Sequence, residues 1–71
     1  MNKKLKKLEV VALLADLPEH GLVTGQVGTI VEILDEYVYE VEFCDNEGRT
    51  YASLPLRSDQ LIALHYSPVA A

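Results

Sequence analysis

Residues 27–54 read VGTIVEILDEYVYEVEFCDNEGRTYASL. Three largely apolar runs are separated by two polar breaks, Asp35-Glu36 and Asp45-Asn46-Glu47-Gly48. The runs are rich in the β-branched and aromatic residues that pack well on a pleated sheet. The second break is turn chemistry, with Gly48 at the position that takes positive φ. The middle run, Tyr37–Phe43, sends Tyr39, Val41 and Phe43 to one side and Glu40 and Glu42 to the other. That period of two marks a strand with one buried face and one wet face.

The two hairpins constrain each other. Pairing Leu34 with Val38 sets Ile33 opposite Tyr39, Val31 opposite Val41 and Thr29 opposite Phe43. Pairing Cys44 with Arg49 sets Phe43 opposite Thr50, Val41 opposite Ala52 and Tyr39 opposite Leu54. Both keep Tyr39, Val41 and Phe43 on one inner side, and a one-residue slip in either sets an apolar residue against a glutamate. On the outer face the same pairing sets Glu32 opposite Glu40, and Glu42 between Ile30 and Tyr51. Like charges directly opposite are unfavourable by about 0.2–1 kcal/mol. One reading is that these carboxylates only keep a small barrel soluble. The other is an acidic patch with an aromatic anchor that meets a basic partner. A third occupant is the chain's own lysine-rich start.

Working outward, Leu8–Leu14 reads as a strand, although Leu5, Leu8, Ala12 and Ala15 also fit helical spacing. Asp16–Gln26 is one long loop punctuated by Pro18, Gly21 and Gly25. Arg49–Leu54 is a strand stopped by Pro55, Arg57–Gln60 a single helical turn, and Leu61–Leu64 a last short strand. Five short strands with one long loop after the first make a small barrel, since closure removes the edges an open sheet leaves. The division is a basic tail at 1–7, the domain at 8–64 and a flexible tail at 65–71. The expected core is Val10, Ala12, Val27, Val31, Ile33, Tyr39, Val41, Phe43, Ala52, Leu54 and Leu61, with Leu17 and Leu22 folding back to anchor the loop.

The chain has 71 residues and a formal net charge of −5. A domain this short buries only about 60% of its unfolded surface. Four of the six basic residues are Lys3, Lys4, Lys6 and Lys7, so residues 8–71 carry −9. Such a body repels phosphate backbones and attracts basic partners. Cys44 is the single cysteine, which excludes an internal disulfide and suits a reducing cytoplasm. No apolar run approaches the ~20 residues that span a bilayer. Met1–Lys7 followed by Val10–Ala15 mimics a secretory signal, but Glu9 interrupts it and cleavage after Ala15 removes a strand.

Nothing here carries catalysis. His20, His65 and Cys44 sit at no close metal-ligand spacing, so no metal or cofactor is assigned. Asp45 and Glu47 disfavour a thiolate at Cys44. The carboxylates pair in no evident pocket, and a small barrel is filled by its own side chains. Gly25-Gln26-Val27-Gly28-Thr29 lacks the GxxxxGK[ST] of a phosphate loop; its glycines permit a tight turn and close strand approach.

The strings LEVVALLADLPEHGLVTGQVGTIVEIL (8–34) and YEVEFCDNEGRTYASLPLRSDQLIAL (39–64) carry a resemblance. Asp16-Leu17-Pro18-Glu19, Gly25–Thr29, Tyr39–Phe43 and Asp59-Gln60-Leu61 are its most specific parts. The chain resembles the bacterial family called domain of unknown function 4926. The resemblance implies an all-β, five-stranded, partly open SH3-like barrel, and it implies no activity.

The expectation is a cytoplasmic, non-catalytic protein-interaction module, an accessory or neutralising partner of an unidentified protein with a basic surface. Its candidate contact residues are Glu32, Glu40, Glu42 and Tyr51, with Glu19 and His20 in the long loop. The alternative is a nucleic-acid-binding barrel that uses the N-terminal lysines, which the acidic body disfavours. No membrane role is implied. A homodimer that buries Ile30, Tyr51 or the long loop is compatible with either.

Overall fold

The computed structural model describes residues 4–65, 67 and 68. They form five antiparallel strands: β1 Val10–Leu13, β2 Val27–Asp35, β3 Val38–Cys44, β4 Thr50–Arg57 and β5 Leu61–Ala63. The sheet order is β4-β3-β2-β1-β5. β2 belongs to both halves of the sheet, because Val27–Thr29 pair with β1 while Thr29–Asp35 pair with β3. The domain is therefore all-β, one open sheet curled into a small, partly open barrel. Single 3-10 turns at Pro18–His20 and Ser58–Gln60 interrupt the long loop and the β4–β5 link. Among the described residues no helix is long and apolar enough to cross a membrane.

β3 is as the alternation predicts. Tyr39, Val41 and Phe43 are all but inaccessible to water, and Leu13, Leu22, Ile30, Leu54, Leu56 and Leu61 pack around them. Leu22 is buried and Leu17 packs against the core. The two residues exchange backbone hydrogen bonds of 2.8 and 3.1 Å that tie the long loop across its base.

In the first two strands Ala12 is buried as expected, but Val10, Val27, Val31 and Ile33 are not. Val11 and Leu13 face inward in β1 rather than Val10, and Val27 and Ile33 are about half exposed. Val31 is only partly buried. The cause in β2 is a bulge. Glu32 pairs with Glu40 and Ile33 with Tyr39, as expected, but Ile30 pairs with Val41 and Thr29 with Glu42. Val31 is the extra residue. Its insertion shifts everything upstream by one, so a bulge lets Ile30 rather than Thr29 enter the core. Gly28 then lies so close to β3 that an added Cβ would stand 2.7 Å from Val41 Cγ1 and 3.0 Å from Phe43 Cδ2. Only glycine fits that approach. A second irregularity at Leu34 makes the β2–β3 turn a two-residue one, with Asp35 rather than Leu34 opposite Val38.

The β3–β4 pairing keeps its expected sidedness but slides by two residues. Ala52 faces Phe43, Leu54 faces Val41 and Leu56 faces Tyr39, while Thr50 rather than Arg49 faces Cys44. Tyr51 is the bulged residue. Pro55 does not end the strand, which runs to Arg57. β4 is an edge strand, where a missing N–H costs nothing if it points away from the sheet.

Within the lysine-rich start, residues 4–8 are docked on the domain. Leu5 is 6% exposed and its N–H donates to the Tyr39 hydroxyl at 2.8 Å. The Leu8 N–H donates to the Ile30 carbonyl at 2.6 Å, and Lys4 pairs with Glu36. Tyr39 is long enough to bring its hydroxyl to the end of the core, where a polar tip needs a partner. Leu8 pays for this hook with a φ of 71° in the left-handed region, a conformation that strains any residue with a Cβ. Of the two tails, residues 1–3, 66 and 69–71 lie outside the described residues.

The hook makes a prediction. Leu5→Ala should lower unfolding free energy by about 2–3 kcal/mol, as for other buried leucines. Leu8→Gly removes an exposed side chain and the strain together, so it should leave stability level or raise it by about 1 kcal/mol at most. Urea titration of both variants checks this; an unchanged midpoint in Leu5→Ala refutes the docking of the segment.

Candidate functional site: an acidic sheet face

The outer side of the sheet is built by the same alternation that fills the core. Glu40 and Glu42 are forced outward by Tyr39, Val41 and Phe43, and the bulge at Val31 returns Glu32 to the outer side. Glu32 stands directly opposite Glu40, and Pro55 flanks Glu40 on the other side. Glu42 lies between Thr29 and Ser53, not between Ile30 and Tyr51 as the unbulged pairing required. Hydroxyl donors neighbour two of the three carboxylates. Ser53 Oγ donates to Glu40 Oε2 at 2.8 Å, and Thr50 Oγ1 donates to Glu42 Oε2 at 2.9 Å. The Cys44 thiol, exposed beside them, lies 3.9 Å from Glu42 Oε1.

No cation among the described residues forms an ion pair with this row. Among the described residues the ion pairs are Lys4–Glu36, Arg49 with Asp45 and Glu47, and Arg57–Asp59. None reaches Glu32, Glu40 or Glu42.

Three expected contact residues do not join this face. Tyr51 sits in the bulge on the other side of β4, its ring centroid 6.3 Å from that of core Phe43. Its hydroxyl accepts a hydrogen bond from the Gln26 side-chain amide at 2.9 Å. A bulge re-aims a side chain, and here it turns the expected aromatic anchor into a cover for the end of the core. Glu19 and His20 occupy the 3-10 turn of the long loop and line a cleft of about 240 Å³ with Leu17, Pro55, Arg57 and Gln60. Pro55 borders both this cleft and the acidic row. Ile30 is fully buried, so it offers no dimer surface.

Sequence reasoning missed what lies beside the glutamates. Val10 pairs with Thr29, which pairs with Glu42, so the outer face continues from β3 onto β1. One step along, Val27 and Ile62 flank Ala12 across three strands. The signal was present but ambiguous, because Val10-Val11-Ala12-Leu13 is apolar on both faces and reveals no parity.

With the geometry known, comparison with other proteins adds one result. A family model described as Domain of unknown function (DUF4926) matches residues 7–63. The chain belongs to this family. That agrees with the resemblance read from Leu8 to Leu64 and fixes the domain's family but not its activity. A search of curated proteins and a search of solved structures each gave no match. Among the described residues no three His, Cys, Asp or Glu side chains of this DUF4926 domain converge as a metal site would require.

Two further carboxylates do structural work in loops. Asp16 Oδ1 accepts from the Thr24 N–H at 2.8 Å and the Thr24 hydroxyl at 2.9 Å. The backbone N–H is the larger influence, and together they hold the Asp16 carboxyl below its ordinary 3.8. Asp45 accepts from the Arg49 and Glu47 N–H groups and from the Arg49 side chain, and is also held low, chiefly by the Arg49 N–H. A carboxyl lowered in the native state binds protons more weakly there than in the unfolded chain. Its contribution is complete above pH 3.8 and is lost as pH falls through the lowered native value. Thermal unfolding across that window should show a larger loss in the wild type than in Asp16→Asn, which is already less stable at neutral pH. Parallel profiles would show that Asp16 is not a source of the acid sensitivity.

Proposed function

We propose that the protein is a small, non-catalytic interaction module of the cytoplasm that presents Glu32, Glu40 and Glu42 to a protein with a basic surface. The observation that carries this reading is the direct opposition of Glu32 and Glu40 with no cation beside them among the described residues. That arrangement costs the free protein stability, by about 0.2–1 kcal/mol. A basic partner reverses the sign of that energy, and complementary charge speeds and steers the encounter. The face also has the form such contacts favour, since the carboxylates sit on a rigid three-stranded platform rather than on loops.

The nucleic-acid reading has less support. Lys4 of its lysine arm is held 3.7 Å from Glu36, and Leu5 is embedded in the core. A tethered arm on a body this negative is poorly placed to follow a phosphate backbone.

Charge reversal tests the proposal. The double variant Glu40→Lys/Glu42→Lys should fold as well as the wild type. In low-salt capture from the native cytoplasm it should lose a basic protein that the wild type retains. With that protein in hand, the association rate should fall ten-fold or more and lose most of its salt dependence. A partner bound equally well by both forms would disprove the acidic-face reading.

A further inference from the structure

The acidic row borders an apolar furrow. Val27 is 48% exposed and Ile62 is 50% exposed, and the two flank Ala12, which is 7% exposed. Val10, partly buried, continues the floor along β1 towards Thr29 and Glu42. Large, small, large across β2, β1 and β5 makes a shallow trough. Three inter-strand steps separate Ile62 on β5 from the glutamates on β3, about 14 Å in all. One α-helix with its side chains is about 10–12 Å across. Val27, Ala12 and Ile62 lie side by side on three strands, so this apolar surface is contiguous rather than scattered, the arrangement that marks interaction sites.

We infer that this furrow seats one amphipathic helix of a partner protein, with an apolar stripe on Val10, Val27 and Ile62 and a flanking line of Lys or Arg over Glu32, Glu40 and Glu42. The inference rests on the acidic-face reading above and adds the shape and polarity of the partner. Charge complementarity selects the occupant. A purely apolar helix leaves the three carboxylates uncompensated, and a polar basic strand leaves the furrow wet. Only a helix whose cationic edge lies to one side of its apolar stripe satisfies both halves of the face. The stripe follows the usual i, i+3, i+4, i+7 spacing.

The test uses the 15N-labelled full chain and two synthetic peptides of identical Lys/Leu composition. One places its leucines at helical spacing beside a lysine line; the other is scrambled so that no face is apolar. The helical peptide should shift the amides of Val10, Ala12, Val27, Thr29, Glu42 and Ile62, and should bind at least ten-fold more tightly than the scrambled one. Ile62→Lys, with Val27→Lys as a second variant where the first folds poorly, should erase that ten-fold advantage and leave binding of the scrambled peptide unchanged. Equal binding of both peptides, mapped to Glu40 and Glu42, overturns the furrow and leaves the acidic-face reading standing. Helical-peptide binding undiminished in Glu40→Lys/Glu42→Lys overturns the underlying reading as well. Self-association of the free chain that is abolished by Ile62→Lys makes a second copy the occupant, and overturns the inference too.

Discussion

The structure depends on the packing of Tyr39, Val41 and Phe43 into one inner stripe of β3. β3 is paired on both edges, to β2 and to β4, so its sidedness is imposed on the strands beside it. Each inward side chain fixes the outward direction of its neighbours, because a strand has no other way to alternate. The burial of three residues and the exposure of Glu40 and Glu42 are therefore one event. A domain this small has little core to spare, so any sequence that fills the stripe also commits the opposite face. The acidity of that face is then a choice made at positions where packing demands nothing.

Bulges reconcile this stripe with its neighbours. The one at Val31 lets Ile30 enter the core while returning Glu32 to the outer side, and position 28 lies so close to Val41 and Phe43 that only glycine fits there. The one at Tyr51 adds a second residue to the one-residue shift already present at Thr50, so that Leu54 and Leu56 both face the stripe, and it drops Tyr51 over the open end beside Phe43 and Gln26. At the opposite end the Tyr39 hydroxyl catches the Leu5 N–H and holds the N-terminal hook down. Two aromatic side chains thus seal the barrel at its two ends, one through its ring and one through its hydroxyl.

These features explain which parts of the fold were legible in the sequence. The alternation of Tyr39–Phe43 and the Asp45–Gly48 turn each point to one structure, and strand number, loop placement and the Glu32–Glu40 opposition follow from them. Bulges leave no such mark, because inserting Val31 or Tyr51 changes parity without changing composition. β1 is apolar on both faces, so Val10 and Val11 compete as core residues on equal terms. Leu5 was hidden by the lysines around it: four charges suggest a solvated tail, while one leucine at the right distance from Tyr39 is enough to dock it. The candidate site was legible to the same degree. Its glutamates lie on the strand that could be read, whereas Tyr51 was misplaced by a bulge and the Val27–Ala12–Ile62 furrow was lost with the parity of β1.

Family membership leaves chemistry open, and the physical division of β3 supplies the acidic face on which the proposed function rests. The most direct test of that division is the urea-unfolding free energy of two single variants made on adjacent residues. Val41→Ala should lose about 2–5 kcal/mol, because it opens a cavity at the centre of the stripe. Glu40→Gln should lose nothing, and should gain a few tenths of a kcal/mol by relieving Glu32. A tolerated Val41→Ala together with a damaging Glu40→Gln would mean that the strand faces the other way, and would contradict the account at its root.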